Sequence, residues 1–267
     1  MFSVYLWRLL VFAPNLSNTH KVMSDVTSQD NTKEKSPIER ADKGDTAQWI
    51  AEVSHELRLP IANVSLLVET LLDGGLEDPA VARRMLERAK QECDRLQSLV
   101  NDLLSVEKLS ETRDEVPREW VDLENRAQYA VESTQKLAKS GAVTVKIDIQ
   151  PDFRVYANAA QIDQVLLNLL ENAIKFTPEG GAVTIKSGSS GSFSVSDTGI
   201  GMPEAEIPKI FARFYRIDRS RGRGSTGLGL SIVKHIVDLH DAKINVQSKE
   251  GAGSTFTLDF PGPRLGG

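Results

Sequence analysis

Apolar residues along this chain keep two rhythms. Between Ile50 and Leu71 they fall three and four apart: Ile50, Val53, Leu57, Pro60/Ile61, Val64, Leu67/Val68, Leu71. That spacing predicts a helix burying one stripe against other helices. Gly74-Gly75 ends it, and Asp78-Pro79 reads as an N-cap followed by proline at the first helical position. A second stripe follows through Met85, Ala89, Cys93, Leu96, Val100 and Leu103. Cys93, lying on it, is expected to be a small core residue. Two helices joined by a short loop bury little alone, so pairing with a second copy into a four-helix bundle is the expected solution.

After Pro117 the rhythm shortens. Val143 to Ile149 alternates like a strand, as does Phe153 to Tyr156, whereas residues 159–175 read as a helix. Residues 182–186 and 192–196 look like a hairpin across 187–191. Residues 226–240 are helical in pattern, and 243–248 and 254–260 alternate again through Glu250-Gly251-Ala252-Gly253. Hairpins among helices, rather than a steady βαβ alternation, predict an α+β sandwich.

Three segments follow: an N-terminal segment and linker over 1–46, a helical hairpin over 47–112, and the sandwich over 117–262. Residues 14–46 are polar and without period, which predicts a disordered or docking arm. Residues 1–13 are apolar but carry Arg8, too short a run to span a bilayer. They read as an interfacial anchor, a docking segment, or translated sequence ahead of a start at Met23. Input from an upstream sensor protein or a membrane contact would enter here. The expected location is the cytoplasm, with this segment as the point of peripheral membrane attachment.

Composition narrows the classes. Hydrophobic content of 40% and charged content of 26% suit a globular protein, and a net charge of -5 argues against a nucleic-acid partner. One cysteine excludes an intrachain disulfide.

The candidate chemistry sits at four places. His55 lies two residues from both Val53 and Leu57, so it points away from the buried stripe. A neutral imidazole is a nucleophile near neutral pH, and adjacent Glu56 could take its second ring proton. Asn168, Asn172 and Lys175 share one helix face, opposite Leu166, Leu169, Leu170 and Ala173. Amide oxygens suit Mg²⁺ that shares its shell with phosphates, and the lysine adds a positive charge. Asp197 precedes Gly199 and Gly201; its carboxylate could accept from an exocyclic amine such as adenine N6 while the glycines let backbone approach a flat base. Gly222 to Gly227 matches G-x-G-x-x-G, but an aromatic-basic segment, Ile210 to Arg216, stands where a dinucleotide fold needs a strand. A glycine-rich lid entering a phosphate-binding helix N-terminus at Thr226 fits better. Each feature alone has an ordinary explanation as polar helix face or glycine turn.

Their order is what carries weight. Ser54-His55-Glu56-Leu57-Arg58, Asn168 to Thr177, Asp197 to Gly201, Phe211 to Tyr215 and Gly227 to Leu230 together resemble the boxes of sensor histidine kinases of two-component systems, near the phosphate-regulon sensor type. The resemblance spans roughly residues 45–262. It implies a dimerisation and phosphotransfer hairpin followed by a Bergerat-type ATP-binding domain. It further implies that His55 attacks the γ-phosphoryl of ATP while Glu56 receives its proton, and that Asn172 holds Mg²⁺. Asn168, Lys175 and Phe176 would then stand beside the nucleotide, and Asp197, Gly199 and Gly201 around adenine. Phe214, Gly227, Leu228 and Gly229 would shape the lid and the phosphate-binding helix. The phosphoryl group would pass to an aspartate on the receiver domain of a response regulator. Related hydrolysing ATPases carry glutamate at the place of Asn168, and an amide cannot serve as that base.

Two residues depart from the pattern. Leu59 replaces the usual threonine four residues after the histidine, which implies a weak phosphatase arm. Phe176 replaces a frequent tyrosine and keeps only its stacking face. The competing readings are a silent dimeric scaffold, opposed by the intact boxes, and a gyrase-like hydrolase, opposed by Asn168 and His55.

Overall fold

The computed structural model describes residues 37–108, 116–189, 191–217 and 226–263. Helix α1 spans Pro37–Thr70 and continues through Pro60. One π-type turn, Leu71–Gly75, closes it, with Gly74 at φ +113°. That is a conformation glycine adopts at little cost. Helix α2, Pro79–Lys108, returns alongside. Asp78 accepts hydrogen bonds from the backbone N–H of Ala80 (2.8 Å) and Val81 (3.2 Å), the N-cap its sequence predicts.

The start of α1 corrects the expected boundary: residues 37–46 are helical rather than linker. Pro37 pre-sets a helical φ, and the first-turn proline gives up only a hydrogen bond that no helix makes. Cys93 is a second correction, being exposed. The covered face of α2 runs through Ala82, Glu92, Leu96 and Leu99, and Cys93 falls one residue off it. Cys93 instead joins Leu86 and Val100 in a line of exposed positions at seven-residue spacing.

The second domain is built on a five-stranded sheet. Strand β1 (Glu119–Asp122) leads into α3 (Leu123–Ser140), capped by Asp122 through Asn125 N–H. Then follow β2 (Thr144–Asp148), β3 (Arg154–Ala157), α4 (Ala159–Phe176), β4 (Ala182–Ser187) and β5 (Ser192–Asp197). Helix α5 (Gly229–Leu239) and strands β6 (Lys243–Lys249) and β7 (Gly253–Asp259) complete it. The sheet order is β2-β4-β5-β7-β6, with β2 and β4 parallel and the other pairs antiparallel. Strands β1 and β3 pair separately. One sheet face is polar, through residues such as Thr184, Ser194, Thr257 and Gln247. The other carries Val183, Ile185, Phe193, Val195, Phe256 and Leu258 into the core beneath the helices. This is the two-layer α+β sandwich the alternation predicts.

Residues up to Ile50 form one unit and Ala51–Gly267 another, so most of the hairpin and the sheet domain lie in the same unit. Leu99 of α2 is buried in the cluster that holds the sheet and α5, and Leu57 and Leu103 pack against it.

A buried histidine locks the far end of this domain. His240 caps α5, and its Nδ1–H donates to Ile236 O at 2.9 Å while Nε2 accepts from Asn158 N–H at 3.0 Å. Asn158 is itself the N-cap of α4 and donates from its side chain to Pro117 O. Arg118 donates to Leu239 O at 2.6 Å. The neutral imidazole therefore has both nitrogens satisfied, and a second ring proton would face the Asn158 N–H. Burial, with nearby Arg118, holds its pKa below the ordinary 6.5. As pH falls through that ordinary value the unfolded histidine gains a proton that the folded one refuses, so stability drops. The expected outcome is a lower melting temperature at about pH 5.5 than at about pH 7.5. In His240→Asn, which cannot titrate, the acid-dependent part of that drop should vanish when the same melts are compared.

Candidate functional site

Helix α4 decides most of the site. Ile162, Val165, Leu166, Leu169, Leu170, Ala173 and Ile174 occupy its buried face. Asn168, Asn172 and Lys175 are thereby turned to a half-buried face. Asn168 ties α4 to the start of α5: its Oδ1 accepts from Gln164 (3.2 Å), and its Nδ2 donates to Gly229 O (3.2 Å). A side chain at Gly229 would meet Asn168 at 3.7 Å, ordinary contact. Lys175 pairs with Glu171 at 3.3 Å.

The end of α4 meets the glycine turn after β5. Ile200 N–H donates to Phe176 O at 3.1 Å. Asp197 Oδ1 accepts from Gly199 N–H at 2.8 Å and from Ser254 N–H at 3.2 Å. Burial pushes the Asp197 carboxyl up from its ordinary value, and these two bonds oppose the rise. Both fall on one oxygen, so Oδ2 is left to accept from something else. Close backbone approach makes the glycines obligatory. A Cβ at Gly201 would lie 1.9 Å from Lys249 O, at φ +61°. One at Gly253 would lie 2.0 Å from Asp197 O, at φ +88°. Gly253, the first residue of β7, belongs to this clasp, though the sequence pattern reads it as part of the segment joining the last two strands.

A third group closes the opposite side. Phe214, at φ +59°, donates its N–H to Gly227 O at 2.9 Å. Helix α5 begins at Gly229, with Leu228 as its N-cap residue, not at Thr226 as its pattern predicts. Gly227 takes φ +77°, outside the helical range, and so delays the helix. Thr226 instead donates to Asp102 Oδ2 of α2 at 2.5 Å and accepts from Leu228 N–H at 3.3 Å. Burial raises the Asp102 carboxyl from its ordinary value, with the Thr226 bond and Lys175 lowering it and Glu171 adding to the rise. No spacing within α2 marks Asp102 as part of this neighbourhood; its partner lies 124 residues away. The expected glycine-rich lid and the arginines at 219, 221 and 223 lie outside the described residues.

The hairpin carries the remaining candidate residues. The His55 side chain is 69% exposed, as its phase predicts, and its Nδ1 stands 3.7 Å from Glu56 Oε1. Arg95 reaches across from α2 to Glu56 Oε2 at 3.5 Å.

Comparison with known proteins places this geometry. The model of the His Kinase A (phospho-acceptor) domain matches residues 46–112, and that of the histidine kinase-, DNA gyrase B- and HSP90-like ATPase matches residues 157–264. The chain belongs to the sensor histidine kinases of two-component systems. Sensor histidine kinase WalK of Bacillus subtilis (strain 168) is 35% identical over 247 residues, covering 90% of this chain and 39% of WalK. Sensor-like histidine kinase SenX3 of Mycolicibacterium smegmatis is 34% identical, covering 80% of this chain and 56% of SenX3. The chain thus spans roughly half or less of the length of these curated relatives. Histidine kinase ThkA, solved in complex with response regulator protein TrrA, superposes with a TM-score of 0.66 at 26% identity, covering 83% of this chain and 63% of that one. Among the described residues no helix is long and apolar enough to cross a membrane.

Within this histidine kinase fold the Asp197 clasp gives a sharp expectation. In Asp197→Asn the amide oxygen must still accept from Gly199 and Ser254, which turns an N–H₂ group toward any donor on the ligand. For an adenine nucleotide whose amine donates to Oδ2, affinity should fall about 10- to 100-fold, the value of a charge-assisted hydrogen bond. Gly201→Ala should cost at least about 1–2 kcal/mol of folding stability from its left-handed φ alone. Calorimetric titration with a non-hydrolysable ATP analogue and thermal melts check the two.

Proposed function

We propose that this chain is an ATP-dependent protein histidine kinase that phosphorylates itself on His55 and passes the phosphoryl group to an aspartate of a response regulator. The observation that carries this reading is the His55–Glu56 pair: an exposed imidazole whose Nδ1 is within 3.7 Å of a carboxylate. Glu56 on the Nδ1 side leaves Nε2 as the nucleophilic nitrogen. Nε2 attacks the γ-phosphorus of ATP, the bond to the β,γ-bridging oxygen breaks, ADP leaves, and the Nδ1 proton passes to Glu56. The protein's part is positioning and charge neutralisation, which dominate phosphoryl transfer.

The nucleotide sits between the Asp197 clasp and the start of α5. Asp197 Oδ2 accepts from the adenine amine, Phe176 and Phe214 offer ring faces near the base and lid, and Lys175 and the α5 terminus after Gly227 face the phosphates. Gly199, Gly201, Leu228 and Gly229 shape the walls. Mg²⁺ fits this donor set only as a shared ion. Among the described residues no cluster of three or more His, Cys, Asp or Glu could hold it; Asn172 would offer one amide oxygen, with phosphate oxygens and water completing the shell. Bound there, the ion neutralises phosphate charge.

A second copy of the chain covers the hairpin. Ile61 and Val68 on α1, and Leu86, Cys93 and Val100 on α2, are exposed residues at seven-residue spacing, the repeat of a helix–helix seam. This supports a homodimeric four-helix bundle. Asn168, fixed by Gln164 and Gly229, offers no carboxylate to activate water, which disfavours the hydrolase reading.

Incubation with γ-labelled ATP tests the proposal. The expected label is acid-labile, alkali-stable and lost in His55→Ala; sustained phosphate release with no label on the protein would contradict it. Leu59, half-exposed four residues beyond His55, cannot hydrogen-bond a water. Dephosphorylation of the regulator by this chain and ADP should therefore be slow. Leu59→Thr should raise that rate roughly tenfold through a positioned hydroxyl, measured as loss of label from the purified phospho-regulator.

A further inference from the structure

Glu56 does not stand alone. Arg95 lies across the hairpin on α2, with one guanidinium nitrogen 3.5 Å from Glu56 Oε2 and the other 3.9 Å from Glu92 Oε2. Glu92 Oε1 accepts in turn from Asn63 Nδ2 of α1 at 3.3 Å. The side chains of Glu56, Arg95 and Glu92 are only 22–24% exposed. The line of contacts therefore runs His55, Glu56, Arg95, Glu92, Asn63, crossing from α1 to α2 and back.

We propose that Arg95 is a positioning residue for phosphoryl transfer to His55, acting through Glu56. The inference rests on the kinase reading above. Glutamate on a helix surface has three rotatable bonds, and a base must stay within reach of its proton. The guanidinium takes Oε2 and so leaves Oε1 on the imidazole side, at 3.7 Å from Nδ1. Arginine suits this place because its planar fork engages two carboxylates at once, which a lysine ammonium cannot do with the same geometry. Glu92 anchors the other side of the fork. Its Oε2 is buried and makes no hydrogen bond, so the long pairing with Arg95 is its compensation. Asn63 then fixes Glu92 from the same helix that carries His55.

A merely structural ion pair would add little to stability and would leave the reaction alone. Single-turnover phosphorylation of the full chain with ATP and Mg²⁺ separates the two roles. Five proteins are compared: wild type, Arg95→Met, Arg95→Lys, Glu56→Gln and the Arg95→Met/Glu56→Gln double variant. Arg95→Met should slow labelling of His55 about 10- to 100-fold, the scale for a misplaced catalytic group. The KM for ATP should stay the same and Arg95→Lys should recover part of the rate. In the Glu56→Gln background, Arg95→Met should cause no further loss. Wild-type labelling by Arg95→Met, an effect confined to KM, or an equal loss in both backgrounds would each overturn the inference. Should Arg95→Met fail to fold, Glu92→Gln and Arg95→Lys decide: slowed labelling at unchanged KM supports the role, and wild-type rates in both overturn it. A wild-type chain that takes no label on His55 would instead remove the kinase reading itself, an outcome visible before any Arg95 variant is measured.

Discussion

Burial of one face of α4 fixes where the chemistry can stand. Leu166, Leu169 and Leu170 are 0–2% exposed beneath the sheet. Each such side chain contributes about 1.5–3 kcal/mol by leaving water. Turning the helix by one residue would expose several of them and drive Asn168 or Asn172 into the core. The polar face is therefore held by a cost far larger than any single polar contact on it. Asn168 then carries that rotation to α5 through Gly229, and Phe176 carries it to the glycine turn after β5.

The clasp around Asp197 depends on the same arrangement. β5 and β7 are neighbours in the sheet, with Asp197 paired to Ser254. That register is what lets one carboxylate oxygen collect N–H groups from both Gly199 and Ser254. A second connection, Thr226 to Asp102, fastens the start of α5 to the hairpin, beside the buried Leu99. The sheet domain and the hairpin are thus joined at one helix end. The helix that receives this bond, α2, also carries Arg95.

Much of this was legible in the sequence, and the gaps have physical causes. The three-four spacing from Ile50 to Leu71 placed His55 outward, and the alternation of 182–186, 192–196, 243–248 and 254–260 found both hairpins. Helix α3 went unread because its buried face is Leu123, Ala127, Ala130, Thr134 and Ala138. Small residues and a threonine give little hydropathy contrast, although the threonine hydroxyl is satisfied within its own helix by Ala130 O and Val131 O. Cys93 lies off the covered face since a helical stripe drifts, and in α2 it passes through the charged Glu92 and Arg95, which meet Asn63 and Glu56 across the hairpin. The contacts of Arg95 and Asp102 could not be read at all: their partners lie 39 residues away (Glu56) and 124 residues away (Thr226), beyond any periodicity. The parallel pairing of β2 with β4 was hidden for the same reason, as its crossover contains β3 and α4.

The central claim is that this fold brings the γ-phosphoryl of ATP to a defined nitrogen of His55. The most direct measurement is to incubate the chain with ATP and Mg²⁺ at neutral pH, locate the added phosphoryl group by fragmentation mass spectrometry, and assign the modified ring nitrogen by NMR of ¹⁵N-histidine-labelled protein. The account predicts one phosphoryl group on the His55 peptide, bonded to Nε2, because Glu56 stands at Nδ1. Phosphate on Nδ1, on another residue, or nowhere on the chain would contradict it.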